Sequence, residues 1–98
     1  MDRSFELQGI QFFWDPEKAA VNVAKHSIDF QLACEAFLDP FLQIHDASGE
    51  QPEHRQAIIG LTTEWKLLFV VFVERNDGLR IISARAATGP ERKRYENQ

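Results

Sequence analysis

Hydrophobic positions along the chain change their period several times, and each change marks an element. From Phe5 to Trp14 the Phe, Leu, Ile and Trp residues favour an opening strand, with Gly9 predicting a turn or bulge inside it. Asp15-Pro16 then sets a helix start, because an Asp side chain accepts from the free first-turn amides and Pro has no N–H to leave unpaired. In that helix Ala20, Val23 and Ala24 form a small-residue stripe expected to meet the core, while Lys18, Asn22, Lys25 and His26 form a polar one. Asp29 is placed to cap a second helix, whose Phe30, Ala33, Cys34, Phe37 and Leu38 recur at amphipathic spacing. Asp39-Pro40 ends it, since the residue before Pro is pushed out of the α region.

Strands follow. Phe41 to Asp46 alternates briefly, residues 47–52 read as a loop, and Arg55 to Thr62 reads as a strand with Gly60 a candidate bulge. Glu64 falls in a turn, and Leu67 to Val73 is apolar without alternation, as a strand covered on both faces would be. Asn76-Asp77-Gly78 predicts a tight hairpin. A three-residue loop opposes Glu74 to Arg80, whereas a two-residue Asp-Gly loop opposes Arg75 to Arg80, so the first register is expected. In the last strand, Leu79 to Ala86, strict alternation groups Arg80 with Ile82 and Ala84, and Arg85 with Ile81 and Ser83. The two arginines therefore reach one site only if a bulge intervenes or Arg85 acts from the strand's end. Thr88 with Glu91 is a capping box that opens a short helix carrying Arg92, Lys93, Arg94 and Tyr95. Strand, two helices, several strands and a short helix make the class α+β.

Composition narrows the function. A chain of 98 residues allows a single domain, 1–98, with one modest core. The lone cysteine, Cys34, excludes a disulfide framework and a thiolate cluster, and reads as a small buried hydrophobe. The longest apolar run, Leu67 to Val73, falls far short of the roughly 20 residues that span a bilayer. MDRSFELQG lacks the basic and apolar regions of a signal peptide, so a cytoplasmic protein without a membrane role is expected. The net charge of −4 argues against a polyanionic partner only on average, for residues 1–50 carry −6 and residues 80–95 carry +4.

The basic cluster suggests chemistry. Lys25 and His26 close the first helix, Arg55 opens a strand, Arg75 and Arg80 flank the hairpin, and Arg85 nears the last helix. Without carboxylates at metal-binding spacing, such a set suits metal-independent, cofactor-free work on an RNA phosphodiester, where the 2′-OH is an attached nucleophile. The step needs a base, an acid for the leaving 5′-oxygen and fixed positive charge. Lys25, His26, Arg55, Arg80 and Arg85 are the candidate catalytic residues; Lys18, Asn22, Arg75, Lys93 and Tyr95 are candidate RNA contacts, Tyr95 also as a stacking or proton-donating group. Plainer readings stand beside these. Lys25-His26 satisfies a helix C-terminus, Glu53 and Arg55 form a charge pair, and Trp14 and Trp65 are packing anchors. His45, His54 and Asp46 lack the spacing of a metal site.

The ordered segments FFWDPEKAAVNVAKHSIDF, AFLDP, EHRQAIIG, FVVFVERNDGLRIISARAAT and ERKRYE resemble the BrnT family of toxins from bacterial type II toxin–antitoxin systems. The match runs from about Phe12 to Glu96, and its specific parts are WDPEK with N-x-x-K-H and RIISAR with E-x-x-x-Y. The resemblance implies a RelE-like fold: a small antiparallel sheet against two N-terminal helices, then a short C-terminal helix. It implies a ribonuclease that cuts RNA without a ribosome. A BrnA-type ribbon-helix-helix antitoxin is implied too, which binds operator DNA so that the complex represses its own operon. The family's basic positions fall on Lys25, His26, Arg55, Arg80 and Arg85. Ser27 departs from the family's usual Gly, at a helix exit where a left-handed conformation costs a non-Gly residue about 1 kcal/mol. A second reading is a catalytically weak homologue that serves as an antitoxin-binding co-repressor.

Overall fold

The computed structural model describes residues 1–50 and 53–98. The opening strand divides into a hairpin, β1 (Arg3–Leu7) and β2 (Ile10–Trp14). Its two-residue turn holds Gln8 at φ 53° and Gly9 at φ 84°, the left-handed pair that matches strand twist in a tight hairpin. Helix α1 (Pro16–His26) starts where expected, with the Asp15 carboxylate accepting from the Glu17 N–H at 2.9 Å. Helix α2 (Phe30–Glu35) is capped by Asp29, and its expected last turn tightens into a 3₁₀ turn, Ala36–Leu38. Four strands follow, β3 (Gln43–Asp46), β4 (Gln56–Leu61), β5 (Leu67–Arg75) and β6 (Gly78–Ala86), then helix α3 (Gly89–Glu96) behind the expected capping box. The Gln51-Pro52 end of the expected loop lies outside the described residues.

One six-stranded sheet runs β1-β2-β6-β5-β4-β3. It is mixed rather than antiparallel, because β2 and β6 pair in parallel at Phe12–Leu79 and Phe13–Arg80. The inner face and α2 enclose Phe12, Trp14, Phe30, Ala33, Cys34, Ile58, Val70, Phe72, Ile81 and Ala84. Phe37 ties this core together, edge-on to Phe72 at 5.1 Å and tilted to Phe12 at 5.2 Å between ring centres. Cys34 is buried there, and burial pushes its thiol up to about 12, as befits a packing residue.

Four expectations are corrected by packing. Gly60 is no bulge, since β4 and β5 pair without a break through Gly60–Leu68. A Cβ there would stand 2.4 Å from the Ala36 carbonyl oxygen, so glycine lets the 3₁₀ turn press onto the sheet. In the hairpin, Arg75 faces Gly78, Glu74 faces Leu79 and Arg80 faces Val73, so the loop is Asn76-Asp77 and neither expected register forms. Gly78 sits under the Gln11 carbonyl, where a Cβ would come to 2.4 Å, so glycine lets the hairpin press against β2. Trp65 is no packing anchor: it is 82% exposed, held at φ 63° in the β4–β5 turn. Lastly, Ala20, Val23 and Ala24 of α1 are exposed, and the helix's buried residue is Asn22.

Candidate active site

Strand β6 is the floor of the site, and β2 leaves its edge after Arg80. From there Asn22 takes over as partner. Its Nδ2 donates to the Ala84 carbonyl at 2.8 Å and to the Ile28 carbonyl at 2.9 Å, and its Oδ1 accepts from the Ala84 N–H at 3.0 Å. The carboxamide mimics a neighbouring strand and pins α1 beside β6. Asn22 is thus consumed by structure, with no group left for the RNA contact expected of it.

With α1 fixed, a cavity of about 400 Å³ opens between its exposed flank and β6, bringing Lys18, Lys25 and His26 against Ile82 and Ser83. Asp15 and Glu17 line it too, next to Lys18 in the first turns of α1. Ser27 adopts the left-handed exit expected of glycine, at φ 58° and ψ 29°, and its N–H donates to the Val23 carbonyl at 2.9 Å. Lys25 and His26 therefore complete the last helical turn and both stay exposed.

Beyond the cavity the outer face of the sheet carries the arginines. A register shift leaves Ile82 unpaired, since Val71 faces Ser83 while Phe72 faces Ile81. This is the bulge that the alternation of the last strand required, and it sets Arg80, Ser83 and Arg85 opposite Val73, Val71 and Phe69, three alternate residues of β5. Arg80 is gripped by both oxygens of Asp2. Arg85 lies over the Phe69 ring, 4.2 Å from its centre, and its Nη1 and Nη2 donate to Glu91 at 2.7 and 2.9 Å. The guanidinium holds the Glu91 carboxyl down to about 2, well below the usual range.

The remaining candidates stand elsewhere. Arg55 precedes β4 on the side of Ala57, also the outer face, and its Nε is buried with no hydrogen-bond partner. His45, opposite Ala57, has an unpartnered buried Nε2 on the same face. Arg75 pairs with Glu53 at 2.7 Å, so the expected Glu53–Arg55 pair gives way to this one. Lys93 is exposed on α3. Tyr95 donates its hydroxyl to Asp39 at 2.5 Å in a different cavity, with Phe41 and Trp65, and burial with that carboxylate pushes its phenol up to about 12. His54 contacts Ser48 at 2.7 Å and lies 4.0 Å from Asp46.

Sequence reasoning passed over Asp15, Glu17, Ile82 and Ser83 as lining residues. Ser83 alone left a signal, as the uncharged polar side chain inside the apolar RIISAR strand.

Chemically, the arrangement offers a titratable imidazole and a flexible ammonium at one wall, and rigid guanidinium groups on the adjoining face. That combination suits an anionic ester. The profile of the family described as "Ribonuclease toxin, BrnT, of type II toxin-antitoxin system" matches residues 14–91. Among solved structures, the chain is similar to the 1.1 Å crystal structure of the Brucella abortus ribonuclease toxin BrnT, with a TM-score of 0.62 and 30% identity over 76% of this chain and 92% of that one. Comparison with curated proteins gives no match.

Proposed function

The chain belongs to the BrnT family of ribonuclease toxins of type II toxin–antitoxin systems, and from that premise we propose that it cuts RNA without a ribosome, by attack of the 2′-OH and without a metal. The observation that carries this is the gathering of Lys18, Lys25 and His26 against the bulged Ile82 and Ser83, on the rim of the arginine-bearing face. His26 and Lys25 serve proton transfer and charge stabilisation, and Arg80 and Arg85 hold the scissile phosphate. Arg55 supports the same face, and Lys18 tracks the backbone. We read the sheet with its helices as RelE-like. Growth inhibition follows from RNA cleavage in the cytoplasm, and a BrnA-type ribbon-helix-helix antitoxin neutralises the toxin and carries the complex to operator DNA.

Purified protein incubated with single-stranded RNA in EDTA is expected to release fragments ending in 2′,3′-cyclic phosphate. Intact RNA at high protein concentration removes the ribonuclease reading, and cleavage lost only in EDTA removes the metal-free step.

One observation favours the second reading, a weak enzyme that works as a co-repressor with its antitoxin. Arg80 already holds a carboxylate, with both of its Nη groups on Asp2. Asp2 competes with phosphate for Arg80, so Asp2→Asn is expected to tighten RNA binding several-fold at low salt, an advantage that shrinks as salt screens the face. Fluorescence anisotropy with a labelled oligonucleotide checks this. Equal affinities would show that Asp2 orients Arg80 rather than blocking it.

A further inference from the structure

We propose that Ser83 is a phosphate-binding residue of the site, its hydroxyl donating to a non-bridging oxygen of the scissile phosphodiester between Arg80 and Arg85. The inference rests on the ribonuclease reading and adds a residue to it.

The bulge is the first support. In a regular strand, residues 80 and 83 point to opposite faces; with Ile82 unpaired, Ser83 joins Arg80 and Arg85 on the outer face. Ile82 and Ser83 are consecutive, yet both line the cavity with Lys25 and His26. The bulge departs from strict alternation here, so neighbouring residues can share one side. Ser83 is therefore the residue where the cavity under α1 and the arginine face meet.

Its free hydroxyl is the second. Among the described residues no group hydrogen-bonds the Ser83 hydroxyl, whereas the other uncharged polar side chain at this edge, Asn22, is fully engaged. Ser83 is half-buried, its backbone is held opposite Val71, and the donor is available to whatever enters. A neutral hydroxyl is a poor base at neutral pH, but it is a good short-range donor to a phosphate oxygen whose charge grows as the 2′-oxygen adds. No proton is transferred through it: the hydroxyl keeps its hydrogen throughout, while base and acid remain on the α1 wall.

The test uses the intact chain and a short single-stranded oligonucleotide with one cleavable linkage. Ser83→Ala is expected to lower kcat by about 10- to 100-fold, on the scale of losing one donor to a developing oxyanion. Its melting temperature should stay close to that of the parent protein, since no intramolecular hydrogen bond is removed. Ser83→Thr retains a hydroxyl in a residue suited to strands and is expected to recover most of the rate. A readout that a structural role would not move is sulfur substitution at each non-bridging oxygen: the parent protein should discriminate between the two diastereomers, and Ser83→Ala should lose much of that discrimination. Parental kcat in Ser83→Ala, or a lower rate with the diastereomer preference intact, overturns the assignment of Ser83 alone. A parent protein that leaves the oligonucleotide uncut overturns the ribonuclease reading itself, and the two failures are thereby told apart.

Discussion

Asn22→Ala is expected to cost on the order of 3 kcal/mol, because it strands the Ala84 N–H and the carbonyls of Ala84 and Ile28 at a buried joint. For a domain of this size that corresponds to a fall in Tm of more than about 10 °C. Little else holds α1 in place: Ala20, Val21, Val23 and Ala24 are exposed, and Ala19 is half-buried against the core. Asn22→Asp should be no better, since a carboxylate restores an acceptor for the Ala84 N–H and turns two donor contacts into repulsion between oxygens. RNA cleavage is expected to fall with stability, because Lys18, Lys25 and His26 ride on the same helix. Thermal unfolding followed by circular dichroism measures the cost, and exchange of the Ala84 amide reports local detachment of α1. A cost under about 1 kcal/mol would mean that α1 is held by contacts other than this carboxamide.

Asn22 also shows where sequence reading stops. In the sequence it belongs to a polar stripe with Lys18, Lys25 and His26, and a stripe of that kind on a short helix reads as a solvent or substrate face. Its burial depends on β6 losing β2 as a neighbour after Arg80, a fact of sheet order between segments far apart in the chain. For the same reason the parallel pairing of β2 with β6 was not legible. The Ala20, Val23 and Ala24 stripe misled in the opposite direction, because small residues at helical spacing carry too little area to decide which side a helix buries. Where chemistry is local, the reading was reliable. Asp15, Asp29 and the Thr88–Glu91 box cap their helices as their side chains dictate, and the apolar run from Leu67 became β5, an interior strand of the sheet whose Leu68, Val70 and Phe72 are buried while Phe69 and Val71 on the other face are half-buried.

Within the site the split is similar. That Arg80 and Arg85 need a bulge to share a face follows from the two-residue period alone, but its position at Ile82 follows from β5. Trp65 gives no hint of a left-handed backbone in its type, since bulky aromatics avoid it. The charge split of the sequence holds with a qualification: two of the arginines in its most basic stretch, Arg80 and Arg85, carry their own carboxylates.

Arg85→Ala is expected to lower RNA cleavage by about 100- to 1,000-fold while antitoxin binding stays measurable. The pairing with Glu91 does not withdraw Arg85 from substrate. Glu91 takes one N–H from each of Nη1 and Nη2, and the Ala86 carbonyl accepts from Nη1 at 3.2 Å. The Nε edge of the guanidinium remains, and it presents two parallel donors of the kind that match a phosphate. Phe69 beneath and Glu91 behind thus hold the fork in one orientation. Arg85→Lys should recover little, because an ammonium on a flexible stem cannot be gripped by Glu91 and phosphate in a fixed plane. The same variant makes a separate prediction about acid. Glu91 has a folded pKa of about 2 against an ordinary 4.5, so its ionised form favours the folded state. That contribution is complete above about pH 4.5 and is lost as pH falls from there through about 2. With partial screening of a half-exposed arginine it amounts to about 2 kcal/mol. In Arg85→Ala most of this acid dependence should disappear from the folding stability, because Glu91 keeps only the Thr88 backbone as its partner. Full toxicity in that variant would place the phosphate away from Arg85. An unchanged acid profile would mean that the ion pair contributes little to folding.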